Sequence, residues 1–254
     1  MTKSDMRPVS SWDIPLALVL LTRLPLPRLP EPVFERQAMA VWAFPCVGLV
    51  LGTLAWLFGV ATLALGLPAT LVAGLVLIVL VAGTGAMHED GLADTVDGFW
   101  GGFTRERRLE IMKDSHIGTY GVLALILSLL LRWGAIVALI GTGALGMLLA
   151  AAIWSRALMP VLMAAMPNAR GAGLSHEVGR PSGTHVALGL GLALGLSVLI
   201  AGAIVLIPAL VSTLAVAGLA AVARAKIGGQ TGDVLGAAQQ VGEITFLLVL
   251  SATV

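Results

Sequence analysis

"ATLVAGLVLIVLVAGTGAMHEDGLADTVDGFWGG" (residues 69–102) sets the reading of the whole chain. Its first part, 69–87, is almost wholly apolar and close to the roughly 20 residues needed to cross a bilayer as a helix. Its second part, His88 to Gly102, packs four carboxylates and four glycines into fifteen residues. A membrane-length helix that runs into that much negative charge calls for a lipid bilayer around it and for something cationic at its end.

The rest of the composition agrees. The chain has 254 residues, is 58% hydrophobic and 11% charged, with a mean hydropathy of +0.98; a soluble domain carries about 25% charged residues. The expected fold is all-α: a polytopic integral membrane helical bundle of about seven transmembrane helices, with residues 1–254 as one membrane-embedded domain. The segments are 38–66, 69–87, 118–140, 143–166, 184–207, 208–223 and 234–253. "GLP" (66–68), "GTG" (141–143) and Pro208 separate paired spans tightly, as antiparallel hairpins require. Residues 12–30, cut by Pro15, Arg23, Pro25 and Pro27, are too broken to span; they read as an interfacial segment and not as a cleavable signal. Cys46 is the only cysteine, which excludes disulfides and a cysteine-rich metal site. The net charge of +1 by itself says nothing about acidic partners; no nucleic-acid partner is expected.

The positions of the charges orient the bundle. Lys3, Arg7, Arg23, Arg28 and Arg36 precede the first span, and Arg105, Arg107, Arg108 and Lys113 lie between spans two and three. Arg170 and Arg180 follow span four, Arg224 and Lys226 follow span six, and the alternate connections carry none. The positive-inside rule puts all these polar segments on the cytoplasmic side. Small-residue runs such as "LGLGLALGLS" (188–197) suit close helix packing in lipid. The six tryptophans, at 12, 42, 56, 100, 133 and 154, read as interfacial anchors.

Three polar stretches carry the chemistry. With residues 90–97 as a helical continuation of span two, Asp90, Asp94 and Asp97 are spaced i, i+4, i+7 and fall within about 60° of one another. Like charges so placed repel, and no Lys or Arg lies among them from 88 to 104. A divalent ion would relieve the repulsion, and all-oxygen ligation favours Mg²⁺ or Mn²⁺; His88 and His116 leave zinc as the alternative. The bland reading is a solvated helix end. Gly91 and Gly98, unfavourable in a helix, point to close packing or close ligand approach.

"MKDSHIGTYG" (112–121) precedes span three. Asp114 or Ser115 could serve as its N-cap, while Lys113 could meet a phosphate as a point charge. "RAKIGGQTGDVLGAAQQ" (224–240) holds a glycine-rich turn, Gly229, Thr231 and Gly232 among it, that opens a helix. Such a turn can cradle a phosphate; it has no GK[ST], so ATP hydrolysis is not indicated. Asp233 either caps that helix or ligates metal. Glu243 and Arg156 lie inside spans, where ionisable residues are paired or functional; Arg156 faces either a buried acid or a phosphate. Arg170 is a phosphate clamp or a topology charge, Arg132 could snorkel, and His176, Glu177 and His185 read as solvated loop residues. Together these features suggest Mg²⁺-assisted transfer at a diphosphate, with a carboxylate taking the proton of an attacking hydroxyl.

"HEDGLADTVDG", "MKDSHIGTYG" and "GGQTGDVLGAAQQ", with "LTRLPLP" near the N-terminus, resemble the cobalamin synthase family (adenosylcobinamide-GDP ribazoletransferase) over about residues 17–243. Val96 stands where the family usually has a small residue and His116 where Arg is common; neither departure removes a carboxylate. The resemblance implies an enzyme in which α-ribazole, or its 5′-phosphate, attacks adenosylcobinamide-GDP through a ribose hydroxyl. Adenosylcobalamin or its 5′-phosphate forms and GMP leaves, with Mg²⁺ required, in a bacterial inner membrane. On this reading Glu89, Asp90, Asp94 and Asp97 hold one or two metal ions, with Asp94 or Asp97 as the base. Asp114 and Asp233 complete the ligation, and Lys113, Arg156, Arg170 and Lys226 contact phosphates. Assembly as a homo-oligomer is left open. The competing expectations are a CDP-alcohol phosphotransferase, whose signature also places aspartates and a "DG" on helices, and a cation transporter. The transporter is disfavoured because most carboxylates gather at one face.

Overall fold

A computed structural model describes residues 8–254; Lys3 and Arg7 lie outside the described residues. The helices in chain order are α1 (Asp13–Leu21), α2 (Gln37–Ala40), α3 (Phe44–Ala64), α4 (Ala69–Thr84), α5 (Met87–Gly101), α6 (Arg105–Ile111), α7 (Thr119–Gly141), α8 (Leu148–Ala165), α9 (Leu174–Val178), α10 (Gly183–Ala201), α11 (Leu206–Ile227) and α12 (Gly232–Ser251). Each of the seven predicted segments overlaps one of the long helices, and the protein is an all-α multi-pass membrane protein. Among the described residues, five helical stretches are long and apolar enough to cross a membrane, or six if α4 and α5 form one bent span. The count is below seven because α10 and α11 run as one stretch, Gly183–Ile227, and because α4 has only 16 residues. Gly202, at φ 73° and ψ −167°, breaks that stretch into two span-length helices.

α8 is the central helix, packed against α3, α10 and α12. It is buried on nearly all sides, as a helix apolar all round should be. Its small residues Ala150, Ala151 and Ala152 let α3 approach so closely that a side chain at Gly48 would strike the Ala152 carbonyl. The outward faces of α7, α10 and α11 expose Leu127, Leu130, Leu199, Ile207, Leu210 and Leu214. So large an apolar surface is stable only in lipid. Trp154 departs from the anchor reading: it is a core residue in the middle of α8.

The predicted continuation of span two into the acidic stretch does not hold. Gly85 (φ 65°) and Ala86 (φ 59°) both adopt left-handed backbone, and the chain turns by 86° between α4 and α5. The amides of Gly85 and Ala86 close back onto Ala82 and Val81, a Schellman-type ending. The left-handed alanine costs about 1–2 kcal/mol, which the packing of α5 must offset. The N-terminal segment is fastened to this corner, with Arg23 N donating to Gly83 O at 2.8 Å. α1 is not loosely interfacial: Leu16, Ala17, Leu20 and Leu21 are buried, and Asp13, wholly buried, pairs with Arg36 at 3.0 Å and accepts from Trp42 Nε1 at 2.9 Å.

Candidate active site

The corner at Gly85–Ala86 lays α5 against α12, and glycine sets how close they come. A Cβ at Gly91 would lie 2.8 Å from the Asp233 carbonyl, and one at Gly236 would lie 3.3 Å from the Gly91 Cα. The close packing expected of Gly91 is therefore made with the helix that carries the third polar stretch; Gly98 packs in the same way on Arg108 and Met112 of the α6 segment. This contact brings Asp90 and Asp94 of α5 beside Asp233 of α12. Asp94 is half-buried and feels the charges of Asp90, Asp233, Asp97 and Arg170. The carboxylates of Asp90 and Asp94 have no hydrogen-bond or ion-pair partner among the described residues. Arg170 supplies the nearby cation, 2.8 Å from Asp233 Oδ2.

Arg170 is placed by its loop. Asn168 Oδ1 accepts from Arg170 N at 3.0 Å and Gly171 N at 2.7 Å, while its Nδ2 donates to Ser175 Oγ at 2.8 Å. The same loop joins the glycine-rich turn: Ala169 N donates to Gln230 O and Gln230 N donates to Pro167 O. Gly229 serves this junction, since a side chain there would strike the Pro167 carbonyl. Thr231, not Asp233, is the N-cap of α12, accepting from Val234 N at 3.3 Å. Gly232 has open space beside it and lines, with Asp90, Arg170 and Asp233, a cavity of about 200 Å³. Met87, Phe44, Met159, Met163 and Leu235 give it an apolar inner wall, with the buried His88 beside them.

The six expected carboxylate ligands do not converge. Glu89 turns inward to Arg132 at 2.8 Å. Asp97 accepts from Gly118 N at 2.7 Å and Gly121 N at 2.8 Å, so it satisfies first-turn amides of α7, the capping role expected of Asp114 or Ser115; a Cβ at either glycine would run into its carboxylate. Asp114 is exposed and bonded to His116 at 2.7 Å. That leaves Asp90, Asp94 and Asp233 near one another, and among the described residues no group of three or more His, Cys, Asp or Glu is arranged to hold an ion by itself. This donor set, hard oxygens on two unpartnered aspartates, fits a cation shared with substrate phosphates. Mg²⁺ is commonly bound by one or two carboxylates plus phosphates and not by an all-protein cage.

The expected phosphate contacts also divide. Lys226 donates to Phe99 O at 2.7 Å and lies 5.0 Å from the centre of the Trp100 ring, so it fastens α11 to α5. Lys113 is exposed before α7, away from the cavity lining. Arg156 is buried, donates to Ala152 O at 3.0 Å, and stands 3.6 Å from Glu243: the buried-acid alternative. Arg132 does not snorkel; its guanidinium is buried between Glu89 and Glu243, the latter at 2.7 Å. Gln239 and Gln240 complete this net, donating to Glu243 at 2.7 Å and Glu89 at 3.1 Å. Two arginines and two glutamates thus balance inside the bundle and tie α5, α7, α8 and α12 together. His185 is buried, not solvated, bonded through its ring to Ser182 and Pro8 O. Sequence reasoning missed the cavity itself; His88, named above only as a possible zinc ligand, belongs to its lining.

Comparison with known proteins adds the family. A family model described as cobalamin-5-phosphate synthase matches residues 13–251. The adenosylcobinamide-GDP ribazoletransferase of Bradyrhizobium diazoefficiens is 44% identical over 243 residues, covering 94% of this chain and 93% of the relative. That of Mesorhizobium japonicum is 44% identical over 240 residues, covering 94% and 92%. The Brucella ovis protein of the same name is 41% identical over 250 residues, covering 92% and 94%. No solved structure matches the chain.

Proposed function

The chain belongs to the cobalamin-5-phosphate synthase family, and on that premise we propose that it joins adenosylcobinamide-GDP to α-ribazole or its 5′-phosphate, releasing GMP. The observation that carries the reading is the α5–α12 contact, which brings Asp90, Asp233 and Arg170 to one cavity, with Asp94 close enough to feel the charges of all three. Asp90 and Asp94, with Asp233 across from them, would hold Mg²⁺ together with the substrate diphosphate. Magnesium bound there would supply positive charge to the departing GMP phosphate.

The protein's own groups do the rest. Arg170 contacts the diphosphate as a planar cation and, through its pair with Asp233, stays aimed at the cavity mouth. Asp94, half-buried among other acids, accepts the proton of the attacking ribose hydroxyl. The new P–O bond forms at the cobinamide-side phosphorus, and the bond to the GMP phosphate breaks. We place the chain in a bacterial inner membrane with this end of the bundle facing the cytoplasm. The end gathers Arg105, Arg107, Arg108, Lys113, Arg170, Arg180, Arg224 and Lys226, as the positive-inside rule requires.

The test is GMP release by the purified protein given adenosylcobinamide-GDP and α-ribazole, with Mg²⁺ titrated from zero. CDP-diacylglycerol with an alcohol acceptor is the control. Turnover of CDP-diacylglycerol alone would overturn the reading.

A further inference from the structure

Arg105 is the first residue of α6, and its guanidinium reaches two other segments of the chain. Nε donates to Ile227 O at 2.9 Å, and a terminal amino group donates to Ala169 O at 2.8 Å. Both carbonyls stand next to site residues. Ala169 directly precedes Arg170, and Ile227 is the last residue of α11, before the turn that leads through Gln230 and Thr231 to Asp233. The two segments also hold each other, Ala169 N donating to Gln230 O at 2.8 Å and Gln230 N to Pro167 O at 2.9 Å. Beyond that bridge comes the Arg170–Asp233 pair, at 2.8 Å. Arg105 thus spans the junction on which the pair is built.

The placement is not one that α6 favours for its own sake. A cation in the first turn of a helix meets the positive end of that helix's dipole. The last carbonyls of a helix lack partners within it, and a cation is favourable there. Arg105 meets that condition on α11. Arg108 adds to it, with Nη1 donating to Lys226 O at 3.0 Å. No residue of α6 is buried, so core packing does not account for these contacts. The ion pair of Arg105 with Glu106, at 3.9 Å and exposed, is of the kind that contributes little. Arg107 makes the contrast: its printed partner is Glu110 of the same helix, at 2.6 Å.

Resting on the function proposed above, we infer that Arg105 is a positioning residue, which ties loop 167–170 to the turn before α12 and so keeps Arg170 in register with Asp233 for the diphosphate. A guanidinium suits the task, because its N–H groups point in fixed directions and serve two acceptors at once. A lysine there keeps the charge and loses the fork.

The experiment uses the full chain in detergent or liposomes, with Arg105→Ala, Arg105→Lys, Arg107→Ala, Arg170→Ala and the double variant of Arg105→Ala with Arg170→Ala. Arg105→Ala is expected to raise KM for adenosylcobinamide-GDP about tenfold, the scale of one charge-assisted hydrogen bond. Its kcat and its KM for α-ribazole should stay within about twofold of wild type, as for lost ground-state binding of one substrate. Arg107→Ala removes the same charge from the same helix and should leave KM unchanged. Arg105→Lys should recover at most part of the loss. In the Arg170→Ala background, Arg105→Ala should add little, because the group it positions is gone. Hydrogen exchange gives a readout without turnover: the amides of Ala169 and Gln230 should lose protection in Arg105→Ala and keep it in Arg107→Ala. The inference is overturned if Arg105→Ala and Arg107→Ala act alike on KM, or if Arg105→Lys behaves as wild type. Full additivity of Arg105→Ala with Arg170→Ala, or unchanged protection in Arg105→Ala, overturns it as well. A wild-type protein that releases no GMP, with protection still dependent on Arg105, would overturn the proposed reaction and leave the tie standing.

Discussion

Gly91 on α5 and Gly236 on α12 meet backbone to backbone: a Cβ on Gly236 would stand 3.3 Å from the Gly91 Cα. One residue belongs to "HEDGLAD" and the other to "GDVLGAAQQ", so this contact makes a single site of two stretches far apart in the chain. Gly91→Ala would put a methyl group 2.8 Å from the Asp233 carbonyl. Overpacking of this kind costs about 1–3 kcal/mol, so a lower thermal midpoint in detergent and reduced GMP release are expected. Gly74→Ala, where nothing lies within 4 Å, is the control and should lower neither, since alanine is the better helix former.

Asp94 and Asp97 lie three residues apart and should fail in different ways. Asp94→Asn is expected to lower turnover by about 10²–10⁴-fold, the range of a lost general base, and to shift the Mg²⁺ titration while the thermal midpoint stays put. Asp97→Asn loses an acceptor for the amides of Gly118 and Gly121 and should cost about 1–3 kcal/mol of stability. Melting curves and metal titrations on both variants separate the roles. An Asp94→Asn protein with wild-type metal dependence would count against the site as drawn.

The buried charges can be tested by a double-mutant cycle. Arg132→Met leaves Glu89 and Glu243 facing only Arg156, and breaking a buried pair on one side costs about 3–5 kcal/mol. Removing Glu243 together with Arg132 restores the balance of charge, so the double variant should be more stable than Arg132→Met alone. Denaturation in mixed micelles reads the coupling; strict additivity would mean that the pair 2.7 Å apart contributes nothing.

The loop pair gives a pH prediction outside the membrane. The hydrogen bond to the Asp114 carboxylate holds the His116 imidazole above its usual range, and the same bond holds the Asp114 carboxyl below its own. The contribution of His116 is complete below the ordinary imidazole value of about 6.5 and fades as pH rises through the raised one. That of Asp114 is complete above about 3.9 and fades as pH falls through the lowered one. The contact is thus fully formed between these two ordinary values. Side-chain NMR of His116 should show the raised midpoint, and Asp114→Asn should return it to the ordinary range. Both side chains are exposed, so the melting temperature should not follow.

By itself the sequence determined the class of fold and the long helices, and it predicted one end of the bundle for the polar stretches. Those follow from apolar run length and from the placement of Lys and Arg, properties that each segment carries on its own. It also showed that the carboxylates of 88–102 mattered, because like charges on one helix face need an explanation wherever they occur. Their separate duties were not legible. Asp90, Asp94 and Asp97 look equivalent by spacing, yet only the last meets the start of α7. Glu89 is set inward by Arg132, a residue 43 positions away. Arg156 and Lys226 look like phosphate ligands until their partners, Glu243 and Phe99 O, are known. The left-handed turn at Gly85–Ala86 had one signal, the same "GTG" (83–85) that separates spans at 141–143, but nothing in it marks the alanine that also turns left-handed. Only the tertiary structure decided these points, because burial, pairing and the cavity beside His88 depend on which helices lie side by side, and that is fixed by packing across the bundle and not by any one stretch.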